Sequence, residues 1–203
     1  MADAKTISKD MPLKSSESAI TYKGVFNMKK LYEFLHNWLL DNDFVAADGH
    51  ATPEDFERFY WQRTNAQGMT DYNIWWRMKK QPDEHLTSWF EYRLSLDFLG
   101  LAIAKTDVMH EGKKIGANKG ELNIFIKPVL CIDPKQLWAE DSLASRFART
   151  FTKRSYKKEI KFHKDKMEEL TFDFQEDIKK FLGLSTIKDF GEPFHPEKGL
   201  GWS

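Results

Sequence analysis

The stretch LTSWFEYRLSLDF, residues 86–98, alternates in character. Leu86, Phe90, Tyr92, Leu94, Leu96 and Phe98 fall on one side, and Thr87, Glu91, Arg93, Ser95 and Asp97 on the other. Successive side chains of a strand point to opposite faces, so this pattern predicts a β-strand with one face buried.

The same period of two governs the preceding stretch, where Tyr72, Ile74, Trp76 and Met78 oppose Asp71, Asn73, Arg77 and Lys79. Gln81-Pro82-Asp83-Glu84 supplies a turn between them. Gly100 reads as a break, Leu101 to Met109 as a further strand, and Glu121 to Ile132 as the last strand. Pro128 cannot donate to a ladder, which predicts an edge or a bulge at that point. Residues 44–65 read as a turn followed by a strand in which Phe59 and Trp61 alternate, and Ile20, Tyr22 and Val25 suit a short strand. Connections this short join antiparallel neighbours, so the expected sheet is a meander of four to five strands.

Outside the sheet the period lengthens. Met28, Leu31, Leu35, Trp38 and Leu39 form one helical stripe behind an N-cap at Asn27, and Asp41-Asn42-Asp43 marks its end. Leu143, Phe147 and Phe151 suggest a shorter helix. Ile160, Met167, Leu170, Phe174, Ile178 and Phe181 predict a long one from about Ser155 to Phe181, with His163 beside its stripe and Gly183 at its C-cap. The fold class expected is α+β, with the meander packed against an N-terminal helix and C-terminal helices. Residues 1–18 are polar and lack periodicity and read as a flexible tail, 19–184 as one domain, and 185–203 as an extended or disordered tail.

The chain has 203 residues, with 31 Lys+Arg against 31 Asp+Glu, and 41% of it is hydrophobic. That balance fits a globular domain and excludes collagen-like and disordered polyampholyte chains. One cysteine, Cys131, excludes an intramolecular disulfide framework and a CxxC metal site. The N-terminus lacks the apolar core of a signal peptide, and no run approaches a membrane span, so the expected location is the cytoplasm.

Neutrality is a sum of two unlike segments. Residues 41–57 hold six acids and no Lys or Arg. Residues 142–166 hold nine basic residues against two acids: Arg146, Arg149, Lys153, Arg154, Lys157, Lys158, Lys161, Lys164 and Lys166. Interleaved with Phe147, Phe151, Tyr156 and Phe162, such residues suit a phosphate backbone or an acidic partner, and equally the solvated face of a helix. Lys113, Lys114 and Lys119, among three glycines in the segment 110–120, form a possible anion-binding loop without the spacing of a P-loop.

Strand parity places Trp75 opposite Trp76, and Trp89 opposite Phe90, so Trp75 and Trp89 are expected on the polar face as an exposed aromatic patch. No catalytic motif, metal-ligand spacing or cofactor signature is present in the sequence. The expectation is therefore a non-enzymatic cytoplasmic binding module. It would serve as a protein-interaction or self-associating assembly component, using Trp75, Trp89, Arg146, Arg149, Lys153, Arg154, Lys157, Lys158 and Lys161. The alternatives are nucleic-acid binding through 146–166 and a small-molecule pocket or enzyme of helix-grip-like architecture; peripheral membrane contact ranks last.

Overall fold

The computed structural model describes residues 9–47, 52, 54–83, 89–110, 113–132, 134 and 157–184. Among the described residues nine elements follow one another: β1 (Lys9–Pro12), β2 (Ser18–Phe26), α1 (Met28–Asp41), β3 (Val45–Ala46), β4 (Glu57–Thr64), β5 (Thr70–Lys80), β6 (Phe90–His110), β7 (Lys113–Ile132) and α2 (Lys157–Phe181). The seven strands form one sheet in which every pairing is antiparallel. β7, β6 and β5 are its centre, β1 and β2 share the far side of β7, and β3 and β4 share the far side of β5.

The α+β class stands, with seven strands in place of the expected four to five. Two of the additional strands, β1 and β3, are four and two residues long. Main-chain pairing alone forms such short strands, and they leave no periodicity to read. The sheet accordingly begins at Lys9, inside the stretch expected to be a tail.

Gly100 does not break its strand. It pairs with Leu122 on one side and Tyr72 on the other, and a Cβ at this position would lie 3.2 Å from the Tyr72 ring. The irregularity comes just afterwards, between Leu101 and Ala104, where the register shifts and Ala102 takes φ 51°. The Ala102 N–H donates to Asp71 Oδ1 at 2.8 Å, which holds this bulge.

Pro128 lies in β7 opposite Leu94, at a local edge on its other side where β1 pairing stops at Val129 and β2 pairing at Ile126, and not in a bulge. Its carbonyl accepts from the Leu13 N–H at 3.1 Å, and a strand residue turns its N and its C=O to the same side. The missing donor therefore faces the connection 13–17, between β1 and β2, and no ladder bond is lost.

One face of the sheet is apolar. Ile74, Trp76, Met78, Phe90, Leu94, Leu96, Phe98, Leu122, Ile124, Ile126 and Leu130 are buried there, in one cluster with Leu31, Leu35 and Leu39 of α1 and Met167, Phe174 and Ile178 of α2. Burying a side chain of this size contributes roughly 1.5–3 kcal/mol, so both helices are held mainly by this face.

Local signals set their ends. The Asn27 side chain accepts from Lys30 N, and Asn118 of β7 accepts the Met28 N–H, so two asparagines satisfy the first turn of α1. At the end of α2, Gly183 (φ 67°) donates to the Lys180 carbonyl and Leu184 to that of Lys179, a Schellman arrangement. The connection 13–17 is tied to α2, where the Gln175 amide donates to the Ser16 carbonyl at 2.9 Å and the Ser15 hydroxyl to the Glu168 carboxylate. Across the helices the Trp38 and Phe174 rings pack at 4.4 Å and those of Phe34 and Phe181 stack at 4.8 Å.

Among the described residues no helix is long and apolar enough to cross a membrane. The helix expected around Leu143 to Phe151 and the tail from 185 lie outside the described residues.

A candidate interaction face on the open side of the sheet

The sheet face turned away from α1 and α2 carries aromatic and charged side chains in cross-strand rows. Register places Phe59 of β4 beside Trp75 of β5, then Asp97 of β6, then Phe125 of β7. The Phe59 and Trp75 rings meet at 4.5 Å with a 34° tilt, yet remain 37% and 40% exposed. The next row runs Trp61, Asn73, Leu99, Asn123 and Thr21, and Trp61 is 44% exposed. The Trp75 indole donates to Asn73 Oδ1 at 2.8 Å, which fixes the ring and leaves its face available.

A charged line continues from the rings. The Arg77 guanidinium lies 5.7 Å from the Trp75 ring centroid, within cation–π range, and 2.7 Å from Asp97 Oδ1. Lys127 Nζ reaches Asp97 Oδ2 at 3.0 Å. Farther out, Arg93 pairs with Glu91 at 2.7 Å and Asp10 at 3.2 Å, and Lys23 pairs with Glu121 at 2.9 Å. Burial pulls the Arg93 pKa down, but the Glu91 hydrogen bond and neighbouring charges leave it raised overall. Hydrogen bonds from Lys23 and Asn123 hold the Glu121 carboxyl low. Arg77 and Lys127 share the single carboxylate of Asp97, while Arg93 has two carboxylates and Lys23 one, so these four cations and four acids balance only in sum.

The β4 side of the face owes its aromatics to a register that runs unbroken from Thr64–Thr70 to Phe59–Trp75 and shifts only beyond Phe59. Glu57 pairs with Trp76 and Phe59 with Trp75, so one extra residue, Arg58, intervenes. The shift leaves Glu57 on the inner side, where it accepts the Tyr32 hydroxyl at 2.5 Å. Trp76 donates to the same Tyr32 oxygen at 3.1 Å, and burial together with Glu57 raises the Tyr32 pKa beyond the usual phenol range.

The structure separates the residues singled out from sequence. Trp75 stands on the open face as expected, but its ring partner is Phe59. Trp89 precedes β6 and is half-buried against the core; Asp97, the residue opposite Trp75, lies seven strand residues beyond Phe90, about 23 Å along β6. Lys157, Lys158 and Lys161 are exposed in the first turns of α2, on the other side of the sheet from Trp75. Arg146, Arg149, Lys153 and Arg154 lie outside the described residues.

The expected anion-binding loop is mostly strand. Lys113, Lys114 and Lys119 belong to β7; Lys114 is paired with Asp107 at 3.0 Å, and Lys119 sits in the ladder between Val25 and Ala104. Phe59, Arg77, Asp97 and Lys127 were not singled out from sequence. The detectable signal was the Asn65-Ala66-Gln67-Gly68 turn, which sets β4 against β5 and hence Phe59 beside Trp75.

On the helix side, two open polar clefts of about 290 and 270 Å3 adjoin Leu170 and Asp173 of α2. The space between α1 and the sheet is filled by Leu31, Leu35, Leu39, Phe56, Trp76 and Phe98, none more than 1% exposed. Among the described residues no group of three or more His, Cys, Asp or Glu side chains is placed to hold a metal. Compared with known proteins, the chain matches no family model, no curated protein and no solved structure.

Proposed function

We propose that this chain works by binding another protein through the open sheet face, with Phe59, Trp61, Trp75 and Arg77 at the contact. The observation that carries the reading is the exposed Phe59–Trp75 ring pair, fixed by Asn73 and set beside Arg77 and Lys127, which share the Asp97 carboxylate. Aromatic and arginine side chains of this kind anchor protein interfaces. The reading places the chain in the cytoplasm, since its single cysteine is buried and has no second cysteine in the chain to pair with, and so asks for no oxidising compartment.

The test is quantitative capture from native extract with the wild-type chain and with Phe59→Ala/Trp75→Ala, whose fold is checked by circular dichroism. The double variant is expected to lose a defined set of captured proteins by about tenfold or more, equivalent to about 1.4 kcal/mol. An unchanged set refutes the reading. A second reading, nucleic-acid binding, is favoured by Lys157, Lys158 and Lys161 beside Phe162, which is 41% exposed. It requires oligonucleotide affinity that falls steeply with salt and is lost on reversal of those lysines.

A further inference from the structure

We infer that β4 is a self-pairing edge, through which two copies of this chain join their sheets in antiparallel register about Trp61. This deepens the reading above by naming the occupant of one border of the open face.

The four border strands of the sheet differ in how they are protected. β1 ends in Pro12 and β3 is two residues long. β2 carries Lys23, and its Tyr22 hydroxyl donates to the Val25 carbonyl at 3.0 Å. Short length, proline, lysine and satisfied main-chain groups are the usual guards against edge pairing. β4 has guards only at its start, where the register shifts and the Arg58 guanidinium donates to the Asp55 and Glu57 carbonyls. From Phe59 to Thr64 it is regular and exposed throughout, with neither lysine nor proline.

The direction of its main-chain groups follows from the turn. Asn65 N–H donates to the Met69 carbonyl, so Asn65 faces β5, and alternation turns the N–H and C=O of Tyr60, Gln62 and Thr64 away from β5. A second copy of β4 laid antiparallel and centred on Trp61 sets Tyr60 against Gln62 of that copy, twice, and forms four main-chain hydrogen bonds. Tyr60 and Gln62 already make a hydroxyl-to-amide bond of 2.9 Å within one chain, so the pair is chemically compatible. On the open face Trp61 then meets Trp61 of the second copy, and each Arg63 meets a Phe59 ring.

Main-chain direction restricts the register: a shift of one position would set groups that face away from β5 against groups that face it, and a centre at Tyr60 runs the pairing through the irregularity at Glu57–Phe59. A centre at Gln62 would set Trp61 against Arg63 and crosslink cysteines at the two positions alike, whereas the Tyr60–Gln62 and Trp61–Trp61 pairs favour Trp61. With Trp61 at the centre, neither arginine meets a like charge. The symmetry is isologous and closes at two copies.

The experiment is sedimentation velocity on the full chain across a wide concentration range, with three variants. Gln62→Pro removes a donor that points away from β5, so the monomer loses no ladder bond while pairing does. It is expected to weaken dimerisation about tenfold or more. Trp61→Cys brings two cysteines together at a non-hydrogen-bonded pair, with Cα atoms about 4.5 Å apart, within disulfide range. It is expected to crosslink on mild oxidation. In Arg63→Cys the two cysteines stand about 13 Å apart along the strands and do not crosslink. A wild-type chain that is monomeric throughout overturns the pairing, as does a dimer unaffected by Gln62→Pro or equal crosslinking of both cysteine variants. The open-face reading fails separately, through unchanged capture by Phe59→Ala/Trp75→Ala.

Discussion

The indole N–H of Trp38 donates to Asp177 Oδ2 at 3.0 Å, joining α1 to α2 across the chain. Burial pushes the Asp177 pKa up, but the hydrogen bonds from Lys180 and Trp38 outweigh it and hold the carboxyl below its ordinary value. A depressed folded-state pKa contributes stability above the unfolded value, about 3.9, that is lost as pH falls toward the lower folded value. Trp38→Phe keeps the ring against Phe174 and removes the donor. It is expected to cost about 1 kcal/mol at pH 7, a modest figure because Asp177 is partly exposed. Urea titrations at a series of pH values check this: the difference between wild type and variant should shrink below about pH 4.

Gly120 and Gly116 lie four residues apart in β7 and should respond in opposite ways to alanine. A Cβ at Gly120 would come within 2.6 Å of the Ile103 Cδ1 and 3.0 Å of the Ala102 carbonyl oxygen, whereas one at Gly116 meets nothing within 4 Å. Gly120→Ala is expected to destabilise by about 1–3 kcal/mol, and Gly116→Ala to stay within about 0.5 kcal/mol of wild type. Thermal unfolding followed by circular dichroism separates the two.

The left-handed backbone at Ala102 is an opportunity for stabilisation. Glycine takes φ 51° without a Cβ penalty, so Ala102→Gly should gain about 0.5–1 kcal/mol after its own entropy cost. Asp71→Ala removes the acceptor that holds the bulge and should lose about 0.5–1.5 kcal/mol. Denaturant midpoints with unchanged slopes confirm both.

Core and open face are distinguishable by the same measurement. Leu35 is fully buried, and Leu35→Ala is expected to cost about 2–5 kcal/mol. Trp75→Ala forfeits the ring contact with Phe59 on an exposed surface and should cost only about 0.5–1.5 kcal/mol. A larger loss at Trp75 than at Leu35 contradicts the assignment of the two faces.

Much of this arrangement was legible in the chain itself, because burial imposes periodicity. Leu31, Leu35 and Leu39, and Met167, Phe174 and Ile178, announce their helices, and the alternation around Trp76 and Leu96 announces both sheet faces. The misread positions are those where a small residue serves close packing. Gly100 and Gly120 suggest a break and a loop when read singly, but they sit in long ladders where Tyr72 and Ile103 approach closely. In the candidate site, Trp75 follows from parity alone. Its partner Phe59 follows from the hairpin register set at the 65–68 turn, while the position of Trp89 depends on β6 beginning one residue later, which has no local signature.

The pairing of β2 with β7 also bears on how the chain is made. Ser18 finds its ladder partner only at Ile126, and Lys9 only at Ile132. At roughly 5–20 residues per second, the first strands leave the ribosome on the order of 5–20 s before the strand that completes them. The β6–β7 hairpin, by contrast, can zip locally once its turn emerges. The N-terminal strands β1 and β2 thus wait with unpaired main chain until β7 is made, a natural point for chaperone engagement.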